Sequence, residues 1–113
     1  MHIEEFRTYC LSKAHVSEEF PFGPDTLVYK VKGKMFALTG LDDAEFKVNL
    51  KVNPERGIEL RETYSDIQPG FHMNKVHWIT VLFEGGLPSA LLRELIDDSY
   101  HLVLKTVSKK NKT

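Results

Sequence analysis

The residues best equipped for chemistry fall close together. His72, Asn74, Lys75, His77 and Trp78 bring two imidazoles, an amide, an ammonium and an indole into one short stretch. Alternation from Val76 to Phe83 predicts a strand with His77, Ile79, Val81 and Phe83 on one side and Trp78, Thr80 and Leu82 on the other. With the aliphatic side turned to a core, Trp78 shares the opposite face with whatever polar residues the sheet presents there. A tryptophan beside lysines can stack a nucleobase or cover lysine stems. The plainer alternative, which weighs somewhat more, packs Trp78 against Phe20-Pro21-Phe22 in a second small core. Asn74 and Lys75 fall in a turn, where their polar groups stay usable.

Two sets of lysines accompany this stretch. Lys47, Asn49 and Lys51 occupy alternate positions of a second strand, so they project from one face about 7 Å apart. That spacing suits a nucleic-acid backbone and equally suits an ordinary wet sheet face. Lys30, Lys32 and Lys34 surround a hairpin turn. They can form a basic wing against phosphates, or they can simply solvate the turn and guard an edge against sheet-to-sheet pairing; the second reading is the stronger.

Other chemistries fit poorly. His72 and His77 have no third ligand at a usual spacing, and on a single strand they would face opposite ways, so no metal is expected. Asp97 and His101 stand four apart on a helix, a common surface pair of little consequence. Asp42, Asp43 and Glu45 read as a solvated turn. The chain carries no phosphate-cradling glycine loop, nucleophile elbow or HExxH motif. No catalytic residues, enzyme activity or cofactor are expected.

The elements that must position these groups follow from periodicity. Ile3, Phe6, Cys10 and Leu11 predict a helix over 2–14. Pro21, Gly23 and Pro24 mark a shaped loop, after which 26–31 and 34–39 form a hairpin around Lys32-Gly33. Phe46, Val48, Leu50 and Val52 alternate with Lys47, Asn49 and Lys51, giving a strand over 45–52 with one buried face. Asn53-Pro54-Glu55 is a helix start, and that helix should reach Tyr64. Residues 65–70 read as a loop, 71–73 as a short extended piece and 76–83 as a strand. Pro88 opens a long helix with Leu91, Leu92, Leu95, Ile96, Leu102, Val103 and Val107 along its apolar stripe. A tail over 108–113 is expected to fray. Helix, three to four strands, helix, two strands, helix describes a two-layer α+β sandwich, with an antiparallel sheet and helices on one face.

The 113 residues suit one domain, with 42% hydrophobic and 27% charged residues. The single cysteine, Cys10, excludes an internal disulfide and fits a reducing compartment as a small apolar residue on a helix face. The start lacks a basic, then apolar, leader pattern, and no apolar run approaches the ~20 residues of a membrane span. A cytoplasmic monomer without membrane contact is therefore expected. Net charge is −1, from 15 basic and 16 acidic residues. Nucleic-acid binding would consequently depend on local clustering of lysines.

Several segments together resemble the MmcQ/YjbR family: Phe20-Pro21-Phe22-Gly23-Pro24-Asp25 with the following hairpin, Asn49-Leu50-Lys51 with Pro54-Glu55, Pro69-Gly70-Phe71-His72-Met73-Asn74-Lys75 with His77-Trp78, and Ser99-Tyr100. The resemblance implies a fold similar to secretion-chaperone-like and frataxin-like domains. It also implies DNA binding through a double-wing arrangement of hairpins, and it brings no catalytic residues. On that reading Lys30, Lys32, Lys34, Lys47, Lys51 and Lys75 contact the backbone, with Asn49, Asn74 and Trp78 nearby. The alternative is a protein- or peptide-binding module, chaperone-like, with an aromatic cleft around Phe20, Phe22, Phe71 and Trp78. A continuous lysine face would favour the first, and interleaved charges beside an exposed apolar groove the second.

Overall fold

A computed structural model describes the backbone of residues 1–110 and the side chains of 1–108. Helix α1 (Ile3–Leu11) is followed by strands β1 (Val16–Glu19), β2 (Thr26–Val31), β3 (Lys34–Gly40) and β4 (Lys47–Lys51), helix α2 (Pro54–Thr63), strands β5 (Ile67–Pro69) and β6 (Trp78–Leu82), and helix α3 (Ser89–Lys110). The strands form one six-stranded sheet in the order β1-β2-β3-β4-β6-β5, with every neighbouring pair antiparallel. This is the expected α+β architecture, with β6 inserted between β4 and the edge.

Local chemistry explains most boundaries. His2 caps α1 through reciprocal bonds with Glu5, whose backbone N–H donates to Nδ1 and whose carboxylate accepts from the His2 N–H, both at 3.4 Å. Asn53 caps α2 by accepting from the Glu55 N–H at 3.0 Å, with Pro54 at the first helical position. Gly57 gives that helix room, because a Cβ there would lie 3.0 Å from the Val52 side chain, tighter than ordinary van der Waals contact.

The core lies on one side of the sheet. Leu27, Tyr29 and Val31 from β2, Val48 and Leu50 from β4, and Ile79 and Val81 from β6 meet Phe6 and Cys10 of α1, Leu60 of α2, and Leu92, Leu95, Ile96, Tyr100, Val103 and Val107 of α3 in one buried cluster. A register irregularity between Tyr29 and Lys30 lets adjacent residues Phe36 and Ala37 both join it. Phe6 sits edge-on to Tyr29, Phe46 and Phe83, with ring centroids 5.4, 5.5 and 5.4 Å away. Ser99 is a fully buried polar residue of this layer: its hydroxyl donates to the Phe36 carbonyl at 2.6 Å and accepts from the Lys51 N–H at 2.8 Å, stitching α3 to β3 and β4. Burial pushes the Cys10 thiol far above its ordinary range, as suits an unreactive core residue.

Several expectations are corrected. Strand β1 was not foreseen, and β5 occupies the segment read as a loop. Residues 71–73 form a turn rather than an extended piece. Helix α1 ends at Leu11 and β6 starts at Trp78, both shorter than expected. His72 and His77 lie in the β5–β6 loop rather than on a strand. Asp97 does not pair with His101 as its main partner; it accepts from the Tyr9 hydroxyl at 2.7 Å and from Lys13. The helix continues through 108–110 of the tail expected to fray, and 111–113 lie outside the described residues.

Candidate binding site on the open sheet face

Among the described residues no helix covers the second face of the sheet. Its outward residues follow from the register: Lys47 opposite Leu82, Asn49 opposite Thr80, Lys51 opposite Trp78, and Leu38 beside Asn49. Lysines and Trp78 thus share a face, as the alternation predicted. Two loops overhang this surface, 20–25 from the β1–β2 connection and 70–77 from the β5–β6 connection. Between them lies a depression of ≈ 470 Å³, with Leu38, Asn49 and Thr80 on its floor and Phe22, Phe71 and Met73 around it. A second depression of ≈ 400 Å³ runs toward β5, bordered by Gln68 and Leu82. Phe71, Lys47 and Thr80 border both, so the Phe71 ring forms a ridge within one longer groove.

The exposed rings decide how this surface is read. Phe22 and Phe71 stand 63% and 65% exposed, although both are large enough to fill a core. Phe71 is held there firmly. The Asn49 amide donates to its carbonyl at 3.1 Å, and its N–H donates to the Thr80 hydroxyl at 2.8 Å. The Thr80 hydroxyl in turn donates to the Asn49 side-chain Oδ1 at 2.6 Å, closing the network. Lys75 donates to the Gly70 carbonyl at 2.8 Å. Asn74 accepts from the backbone N–H groups of Val76 and His77 at 2.9 and 3.1 Å. His72 adopts φ 60° and lays its ring 4.1 Å from that of Phe71. Gly70 permits the loop's return, since a Cβ there would stand 2.7 Å from the Trp78 Cβ.

The sequence candidates therefore scatter into three groups. Asn49, Asn74 and Lys75 use their polar atoms on the 70–77 loop. Lys30 is ion-paired with Glu19 at 3.1 Å, from the unforeseen β1. Lys32 and Lys34 project at the β2–β3 turn, with Lys32 at φ 49°, remote in sequence and strand position from the 70–77 loop. Lys47 alone among the named lysines borders the groove, while Lys51 and Trp78 pair at its far end without lining it. Of the expected aromatic cleft, Phe22 and Phe71 are present; Trp78 packs by Gly70, and Phe20 faces α1 beside Ile3 and Arg7.

Thr80, Asp43, Glu45 and Asp66 were missed as groove residues. Thr80 signals itself only once β4 is known to pair with β6, which no local pattern reveals. Asp43 is betrayed by Gly40, where a Cβ would fall 2.8 Å from its carboxylate. Behind it, Asp25 raises the Asp42 carboxyl by charge repulsion, with smaller contributions from burial, a side-chain hydrogen bond to Asp25, and Asp43. Among the described residues no group of three or more His, Cys, Asp or Glu side chains is placed to hold a metal ion, and no helix is long and apolar enough to cross a membrane.

Known proteins share this fold and sequence. Residues 11–102 match the family model described as YjbR. The chain is 42% identical over 93 residues to the uncharacterised protein YbdF of Escherichia coli O157:H7, covering 81% of this chain and 75% of that one. It is 34% identical over 100 residues to YjbR of Escherichia coli strain K12, covering 88% and 85%, and 33% identical over 99 residues to YyaQ of Bacillus subtilis strain 168, covering 88% and 79%. The crystal structure of Deinococcus radiodurans DR2400 superposes with a TM-score of 0.87 at 44% identity, over 91% of this chain and 78% of that one. A Pseudomonas syringae protein gives 0.79 at 32% identity, over 91% and 99%. On the match to the family model and on these relatives, the chain belongs to the YjbR family.

Proposed function

We propose that the protein is a non-enzymatic protein-binding module, which docks an apolar side chain of a partner polypeptide in the groove astride Phe71. One observation carries this reading. Two phenylalanines remain about two-thirds in water beside a common groove, and the backbone of one is fixed at both its N–H and its C=O by Asn49 and Thr80. Exposed apolar surface of this kind marks interaction sites. A rigidly presented aromatic anchor loses little entropy on binding, which is what makes a hot spot. Charges along the groove are mixed, Asp43 and Lys47 bordering the same depression, where a DNA face would be uniformly basic.

The experiment is selection from a displayed library of short random peptides on the purified protein. Sequences should enrich that bind the wild type and fail on Phe71→Ala combined with Phe22→Ala. Enrichment of nothing, or of peptides indifferent to both substitutions, overturns the reading.

DNA-backbone contact is the second reading, and Lys32 and Lys34 favour it: both are exposed at a hairpin tip and neither forms an ion pair among the described residues. Titration of random duplex DNA across salt concentration tests it. Binding with a steep salt slope that Lys32→Glu with Lys34→Glu removes would support it, and absence of binding at low salt would end it.

A further inference from the structure

The groove's charges also say what kind of partner it takes. Some acids are ion-paired, Glu18 with Arg7, Glu19 with Lys30, Asp97 with Lys13 and Glu94 with Arg56. Those along the groove are not. Asp43 borders the first depression, and Glu45 and Asp66 border the second. Among the described residues none of these makes an ion pair; Asp66 accepts only a neutral backbone bond, from the Gly86 N–H at 3.0 Å. Asp42, next to Asp43 in the chain, has its carboxyl raised chiefly by charge repulsion from Asp25. Against these carboxylates, among the described residues, the groove offers one lysine, Lys47.

A groove with exposed aromatic rings and unpaired carboxylates along its margin is complementary to a cation beside an apolar side chain. Resting on the docking reading above, we infer that the occupant is a basic segment of a partner protein: a bulky apolar residue, set against Phe71 and Phe22, with arginine or lysine beside it facing Asp43 and Glu45. The same arrangement works against a polyanion, whose phosphates would meet Asp43 and Glu45 at the positions where they would have to run. A lone acidic cluster would attract any cation. Here the apolar ridge beside the acidic margin restricts the match to a segment that carries both features.

Fluorescence anisotropy with the whole protein separates these features. One labelled peptide has a central phenylalanine flanked by arginines; matched peptides replace the arginines with glutamates, replace them with serines, or replace the phenylalanine with alanine. The arginine–phenylalanine peptide should bind about ten-fold more tightly than the serine version, and the glutamate and alanine versions should bind most weakly. Asp43→Asn with Glu45→Gln should bring the arginine peptide to the level of the serine peptide and leave the serine peptide unchanged. Glutamate-flanked peptide binding as well as the arginine peptide overturns the basic-segment assignment and leaves the docking reading standing. Failure of every phenylalanine peptide overturns both. Arginine peptide binding that survives loss of phenylalanine overturns the apolar half of the match.

Discussion

The two faces of the sheet are built from the same strands and treat large apolar side chains in opposite ways. Toward the helices, Phe6, Tyr29, Phe36 and Phe83 are sealed from water at 0–1% exposure. On the other side Val28 and Leu38 are covered, yet Phe22 and Phe71 are left in solvent. Polar atoms follow the same division. On the helix side Ser99 ties one layer to the other. On the open side Asn49, Thr80, Asn74 and Lys75 fix a loop whose product is an exposed ring. The first face is organised to exclude water and the second to hold an apolar group ready for something other than this chain.

Substitutions can break that contrast, and the largest effect belongs to the core. Phe6→Ala removes a ring packed edge-on against Tyr29, Phe46 and Phe83. It should cost about 3–5 kcal/mol in urea unfolding. Thr80→Val comes next. It deprives both the Phe71 N–H and the Asn49 side-chain Oδ1 of a partner, which should cost about 1–3 kcal/mol and loosen the ring. Its affinity for a selected peptide should fall while Phe71 itself is untouched. Phe71→Ala should then change stability by no more than about 0.5 kcal/mol, as for other exposed positions, and abolish peptide binding. A core-sized loss of stability on Phe71→Ala would erase the distinction between the faces.

The legible parts of the fold are those decided within a few residues of chain. Alternation in β4 reports its burial directly, and Asn53-Pro54 writes the start of α2 regardless of what surrounds it. Strand β1 was illegible because Val-Ser-Glu-Glu has weak strand preference; the segment is held from outside, by Arg7 and Tyr29 on Glu18 and by Lys30 on Glu19. The same distance in sequence hid the site. Asn49 and Thr80 are 31 residues apart, and only the placement of β6 beside β4 reveals that they share a task. Phe71-His72-Met73 reads as extended by composition, whereas Gly70, the positive φ of His72 and the Asn74 cap turn it. The exposed phenylalanines were visible as candidates, but their exposure was not, because a Phe-rich loop reads the same whether it closes on a core or overhangs a groove.

The smallest effect concerns how the edge of the core side responds to acid. The Arg7 guanidinium, and then the Tyr29 hydroxyl at 2.6 Å, hydrogen-bond the Glu18 carboxylate and hold it below its ordinary range, against the opposing effect of burial. A carboxyl depressed in the folded state stabilises the fold above its unfolded value near 4.5, and that contribution disappears as pH falls through the lower folded value. Glu18→Gln should therefore flatten the loss of stability below that pH, relative to wild type, in a series of urea melts. Above it the variant should be slightly less stable, since the pair with Arg7 is solvent-facing and such pairs are weak. Peptide binding should be the same in both proteins at neutral pH, because Glu18 belongs to β1 and the helix side. A change in binding would mean that the β1 edge communicates with the groove, and the two faces would then have to be treated as one unit.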